Sequence, residues 1–179
     1  GVAYAISQRS SCLKRKVGAV IVDPFGNVIS SGYNEVPRGE RPCSQEYTRC
    51  FRDRCRDDFI AGLVAEFPGL KEQSNHLERF FRSRSRILDL CRALHAEENA
   101  ILNLARNGCS VSMKDCTLYT TTYPCKLCAN KIATIGIGKI VYLEPYPDPE
   151  AKVILRDVIC QFFEGVTFKA YFRIYGEEK

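Results

Sequence analysis

The chain has 179 residues, 45% of them hydrophobic, a net charge of +5 and ten cysteines. That hydrophobic share excludes a disordered chain, and the length suffices for a domain with a real core. The modest positive charge suits an anionic ligand. Acidic residues are interspersed with the basic ones, which argues against a nucleic-acid binder, and apolar runs such as 17–22 (VGAVIV) are too short to cross a membrane.

Residues 2–12 put Val2, Ala5 and Ile6 on one side and predict the end of a helix. A strand is predicted over 16–23, where the unbroken apolar stretch suits a central, doubly covered position. The turn Pro24-Phe25-Gly26-Asn27 leads into an antiparallel return strand over 28–34. From about 40 to 86 the character changes. Arg, Asp, Glu and three cysteines crowd this stretch, and an apolar helix face over 58–67 stops at Phe67-Pro68-Gly69. The segment is too long for a strand–helix connection, so it reads as an insertion with its own small core within a single domain spanning 1–179.

Beyond it the pattern is regular. A helix over 95–108 carries Ala96, Ala100, Ile101, Leu104 and Ala105 on one face and stops at Gly108. A Thr- and Tyr-rich strand is predicted over 116–122, and Pro124, at a first-turn position, opens a helix ending at Gly136. A strand over 139–146, a helix over 149–159 and a last strand over 166–172 follow. Strands alternating with helices around one hairpin imply a layered α/β sandwich.

No segment reads as a secretory leader, so the cysteines favour reduced thiols and metal over disulfides. The chemistry gathers in 94–100 (LHAEENA) and 122–129 (TYPCKLCA). Cys125 and Cys128, i and i+3 in a first helical turn, face one way, and the free N–H groups there favour thiolates. His95, at the preceding helix start, completes a one-histidine, two-thiolate set for zinc that leaves one position open. Glu97 would point elsewhere in mid-helix, but at a helix start it shares the cleft, where its carboxyl can shuttle protons. Taken singly, the Cys-x-x-Cys also reads as a redox pair or half of a closed structural zinc site, and the histidine as an ordinary helical residue. Jointly, His-x-Glu followed by Pro-Cys-x-x-Cys is the pattern of zinc-dependent nucleobase deaminases.

These residues carry a resemblance. Segments 9–23 (RSSCLKRKVGAVIVD), 31–40 (SGYNEVPRGE), 94–102 (LHAEENAIL) and 123–142 (YPCKLCANKIATIGIGKIVY) resemble, in order, blocks of the cytidine/deoxycytidylate deaminase superfamily, and of its deoxycytidylate (dCMP/dCTP) deaminase branch. The resemblance implies a three-layer α-β-α sandwich with a central mixed five-stranded sheet. It implies catalytic zinc on His95, Cys125 and Cys128, with Glu97 as proton shuttle. Asn34 would lie near the sugar 3′-hydroxyl, the backbone of Ala96 and the carbonyl end at Tyr123 on the pyrimidine edge, and Arg15 and Lys16 near the phosphate.

The implied reaction is hydrolytic deamination of a deoxycytidine nucleotide, dCMP or dCTP, to the deoxyuridine nucleotide with loss of ammonia, in a cytoplasmic homo-oligomer. The chain departs from common members at Glu35, where they carry Gly, and in the longer stretch before the His-x-Glu helix. Residues 121–132 (TTYPCKLCANKI) and 144–151 (EPYPDPEA) look more like a subgroup that includes antiphage deaminases, often fused to an N-terminal kinase-like domain. Antiviral defence and an additional N-terminal domain in the full-length protein therefore join the expectations.

Cys43, Cys50 and Cys55, with Cys91, offer ligands for a second, structural zinc that would staple a segment with little core. Buried or incidental thiols are the other reading, and ligand sets with Cys12 or His76 stay open. Arg38, Arg41, Arg49, Arg52, Arg54 and Arg56 read as a solvated face diluted by acids, or as a lid or allosteric deoxynucleotide site. Glu98 reads as surface. Two rival functions share the zinc core. A deaminase acting on single-stranded DNA or RNA is disfavoured by the absence of Trp, and a noncatalytic zinc-stabilised nucleotide-binding module by the intact Glu97.

Overall fold

The computed structural model describes residues 1–84 and 90–166. Its helices are α1 (Val2–Ser7), α2 (Cys43–Glu46), α3 (Phe51–Glu66), α4 (Ser74–Arg84), α5 (Ala96–Asn107), α6 (Lys126–Ile135) and α7 (Pro149–Ile154). Its strands are β1 (Gly18–Val22), β2 (Val28–Tyr33), β3 (Thr117–Thr122), β4 (Lys139–Glu144) and β5 (Ile159–Phe162). Residue contacts divide the chain into two compact units, one of 1–10, 15–35 and 94 onward, the other of 11–14 and 36–93.

Among the described residues, the first unit holds one mixed five-stranded sheet in the order β2-β1-β3-β4-β5. β1 runs antiparallel to β2 and β3, whereas β3–β4 and β4–β5 are parallel pairs. Two glycines let helices sit directly on this sheet. A Cβ at Gly18 would lie 2.0 Å from the Ala3 carbonyl oxygen, and one at Gly32 would lie 2.3 Å from the backbone of both Ala96 and Ala100. Gly32 pairs with Ala19, the neighbour of Gly18, and successive residues of a strand face opposite sides. α1 and α5 therefore cover opposite faces. α5 abuts α6 and α6 abuts α7, which makes the layering helix, sheet, helix. Ile21, Leu118, Ile132, Ile137 and Ile140 are fully buried, each contributing roughly 1.5–3 kcal/mol.

Two sequence expectations need correction here. α7 ends at Ile154, not at 159, and the fifth strand is Ile159–Phe162, beginning at the residue where the helix was expected to end. The run 158–163 (VICQFF) is β-branched and aromatic, and it pairs with β4 from Lys139↔Ile159 onward. The strand predicted over 166–172 lies, from 167 on, outside the described residues. Pro124 precedes the N-cap Cys125 of α6 and is not in its first turn.

The second unit is mostly helical, with a 3-10 turn over Pro68–Gln73 between α3 and α4. α3 buries only Arg56 and Ile60. Arg56 is held by Asp53 at 3.2 Å and Asp57 at 2.9 Å, and Phe59 meets Phe81 edge-on at 5.5 Å. Arg49 also pairs with Asp57, Lys14 with Asp53, and Arg54 lies over the Tyr47 ring, so several of these cations are already engaged. Among the described residues, no helix is long and apolar enough to cross a membrane.

Candidate active site

The site is built on two helix starts in the first unit. Leu94 is held to Glu35 by paired backbone hydrogen bonds of 2.9 and 3.2 Å, and the chain then enters α5 through His95, an extended N-cap with φ −75° and ψ 158°. The His95 N–H donates to Glu98 Oε2 at 3.4 Å, and Glu98 also pairs with Lys131 of α6 at 3.2 Å. Glu98 is thus not idle surface. It is the N3 partner of a capping box, a spacing legible in His-x-x-Glu.

Cys125 is the extended N-cap of α6, and Cys128 lies one turn in. This start is pinned by Asp148, whose Oδ2 accepts from the Lys126 N–H at 3.1 Å and whose Oδ1 accepts from the Ala151 N–H at 3.3 Å. One buried carboxylate thereby caps α6 and α7 together. Asp148 before Pro149 carries the ordinary N-cap signal, but nothing local indicates that it serves a second helix.

The two starts converge. Cys125 Sγ and Cys128 Sγ lie 3.3 and 3.4 Å from His95 Nδ1. A tetrahedral zinc with ordinary bond lengths sets nitrogen and sulfur ligands about 3.6 Å apart. All three donor atoms lie within 4.8 Å of one another, so donor set and spacing both fit zinc, and the three are positioned as a zinc site. A hydrogen bond from Cys128, with a further contribution from His95, holds the Cys125 thiol far below its usual range. The same bond, with burial, pushes Cys128 up. The hydrogen bond to Cys125 raises His95 despite burial.

Glu97 belongs to this cluster. It is 4% exposed, with Oε2 3.5 Å from Cys128 Sγ and Oε1 3.4 Å from the Thr120 hydroxyl, which donates. Burial is the main cause pushing its carboxyl above the usual carboxylate range. Thr120, on β3, was not singled out by sequence reading, because in the sequence it is one Thr among several.

The other expected residues divide. Ala96 is fully buried at the first turn of α5. Tyr123 is buried with its ring edge-on to Tyr142 at 4.9 Å, and burial pushes its phenol well above the usual range. Asn34 spends both ends of its amide on backbone: Oδ1 accepts from the Val17 N–H at 2.7 Å and Nδ2 donates to the Arg15 carbonyl at 2.9 Å. The Arg15 guanidinium meets Glu144 at 2.5 Å. The Lys16 ammonium instead reaches the Gln8 carbonyl at 3.5 Å, just past the end of α1.

In the second unit, Cys43 opens α2 and Cys50 caps α3. Burial pushes the Cys43 thiol up, Arg92 opposes this, and Cys12, Cys91 and Cys50 push it further. Cys12, Cys43, Cys50 and Cys91 are therefore electrostatic neighbours. Cys55 lies in α3, five residues beyond its N-cap Cys50. Among the described residues, no second trio of donors reaches the spacing of His95, Cys125 and Cys128. His76 lies in α4.

The donor geometry makes a direct prediction. Prolonged treatment with a strong chelator should abolish turnover, and added zinc should restore it. Recovery with magnesium alone would contradict a thiolate-rich site, because hard cations prefer oxygen ligands.

Comparison with known proteins agrees with this arrangement. The family profile described as "Cytidine and deoxycytidylate deaminase zinc-binding region" matches residues 1–144. The deoxycytidylate deaminase of Enterobacteria phage T2 is 37% identical over 167 residues, covering 90% of this chain and 87% of that protein. The deoxycytidylate deaminase of Saccharomyces cerevisiae is 34% identical over 171 residues, covering 95% of this chain and 42% of the yeast protein. The crystal structure of a dCMP deaminase from cyanophage S-TIM5, in complex with dCMP and dUMP, shares the fold with a TM-score of 0.57. It is 24% identical, over 90% of this chain and 91% of that one. With the site geometry, the profile match and the phage relative all in agreement, the chain belongs to the cytidine and deoxycytidylate deaminase family.

Proposed function

We propose that the protein hydrolytically deaminates a deoxycytidine nucleotide, dCMP foremost and dCTP as a second candidate, giving the deoxyuridine nucleotide and ammonia. The observation that carries this reading is the buried Glu97 carboxyl beside the His95, Cys125 and Cys128 donors. A zinc ion bound there supplies positive charge that lowers the pKa of a coordinated water from 15.7 towards roughly 7. The remaining work falls to the chain. Glu97 moves the protons: it takes one from the water and delivers it to the ring nitrogen, then takes a second from the hydroxyl newly formed on the ring carbon and passes it to the departing amine, which leaves as ammonia while that hydroxyl becomes the carbonyl. Its burial raises its proton affinity above that of an ordinary carboxylate, which favours its service as a proton carrier. The Ala96 backbone and Tyr123 carbonyl engage the pyrimidine edge, Asn34 the sugar, and Arg15 the phosphate. Lys16 is the weaker phosphate candidate, since its ammonium faces the Gln8 carbonyl.

Ammonia release measured with dCMP, dCTP, cytidine and a cytosine-containing oligonucleotide tests the reading. Turnover of dCMP or dCTP with neither of the others is expected. Turnover confined to the oligonucleotide would replace it with a polynucleotide deaminase.

A structural zinc in the second unit belongs to the same proposal, on Cys43, Cys50 and Cys91 with Cys55 or Cys12 as the fourth ligand. What supports it is the proximity of these thiols and a core in which α3 buries only Arg56 and Ile60. Elemental analysis should find two zinc per chain. One zinc with a fully active catalytic site would remove the second. Self-association, an effector deoxynucleotide and a cytoplasmic location extend the proposal. For the first of these, the support is the exposed edge strand β5, with Ile159 and Phe162 open to solvent.

A further inference from the structure

Three strands and the segment before β1 bring polar groups to the end of the sheet where the zinc ligands lie. β3 runs through Tyr123 and Pro124 into Cys125, and the parallel β4 ends alongside it, with Thr122 paired to Glu144. The Glu144 carbonyl accepts the Tyr123 N–H at 2.8 Å, which ties the backbone of Glu144 to the chain that delivers the metal ligands. From the other side, β2 ends at Asn34, whose amide holds the backbone at both Arg15 and Val17. The one cation fixed this way, Arg15, reaches across 129 residues of sequence to the Glu144 carboxylate at 2.5 Å. Ligands of open α/β sheets bind outside the carboxyl ends of the parallel strands, which here are the ends of β3 and β4.

We propose that Glu144 is a specificity-determining residue, an internal counter-ion that occupies Arg15 in the free protein and that the 5′-phosphate of a nucleotide must displace. The inference rests on the deaminase reading above. Both side chains are close to half exposed, 45% for Arg15 and 42% for Glu144, so a phosphate can reach the guanidinium and the carboxylate can swing aside. An exposed pair of this kind is weak, and a doubly charged phosphate presenting a fork of oxygens outcompetes it.

The arrangement has a kinetic use. The phosphate is identical in substrate and product, so gripping it tightly lowers KM without speeding chemistry and also retains the product. A carboxylate that returns to Arg15 moderates that grip and favours release. Every added phosphate brings more negative charge beside Glu144, so the residue also weighs against a triphosphate.

The test uses the full chain, with KM for dCMP and the inhibition constant of dUMP measured for the wild type, Glu144→Gln, Arg15→Gln and the double variant. Glu144→Gln should lower both constants together, by about threefold, as expected for freeing one partner of an exposed ion pair. Arg15→Gln should raise both, and in its background Glu144→Gln should lose its effect. A merely structural role for Glu144 would not produce a gain in affinity cancelled by removing Arg15. Constants unchanged or raised in Glu144→Gln, or lowered equally without Arg15, would overturn the inference. A wild-type protein inactive on dCMP is a different result, since it removes the underlying reading before Glu144 is considered.

Discussion

Replacing Glu97 with Gln should lower kcat by about a thousandfold, within the range typical of a lost general acid–base group, while zinc content and thermal stability stay close to wild type. Gln keeps the shape and hydrogen-bonding reach of Glu but can neither accept nor release a proton at the pH of the assay. Glu97 is 4% exposed, wedged between Thr120 and Cys128, so a solvent molecule has little room to take over its work. None of the three metal donors is altered by the change, which separates loss of chemistry from loss of metal. Zinc quantified on the purified variant, a melting curve and a single-turnover assay together decide the matter. Turnover within a few-fold of wild type would refute Glu97 as the proton carrier.

The second large effect is expected far from any reacting atom. Gly32→Ala should destabilise the protein by about 1–3 kcal/mol, the range for overpacking a close contact, and should weaken zinc binding with it. A Cβ at Gly32 would lie 2.3 Å from backbone atoms of α5, and backbone cannot rotate aside as a side chain can. α5 would have to lift from β2, carrying His95 and Glu97 away from the start of α6. Gly62→Ala is the matched comparison. It lies inside α3 with nothing within 4 Å of its would-be Cβ, so helix propensity should make it neutral or stabilising by up to about 1 kcal/mol. Chemical denaturation midpoints of the two variants, with zinc content, test the contrast. Equal stability would mean that α5 does not rest on Gly32 as closely as its geometry requires.

Much of the cluster of His95, Glu97, Cys125 and Cys128 was readable because its signals are local. His95 and Cys125 each cap a helix, and Glu97 and Cys128 follow within the first turn, so short spacings carry the chemistry. Gly108 and Gly136 end those helices with positive φ, another local cue. β1 to β4 were legible from β-branched runs between turns. β5 was not, because a short run of apolar residues after a helix suits either state, and only an open edge of β4 decides for a strand. The insertion misled differently: its expected apolar helix face became α3, which buries an arginine between two aspartates.

By itself, then, the sequence determined which residues begin the two site helices, and the chemical identity of the metal donors. What only tertiary structure decided are partnerships between distant residues: Asp148 capping α6 as well as α7, Asn34 clasping the backbone at Arg15, and Arg15 meeting Glu144. The physical reason is that caps and periodicity depend on neighbours a few residues apart, whereas these contacts exist only after strands pair and loops close. No spacing along the chain records which ends of a sheet will come to lie side by side.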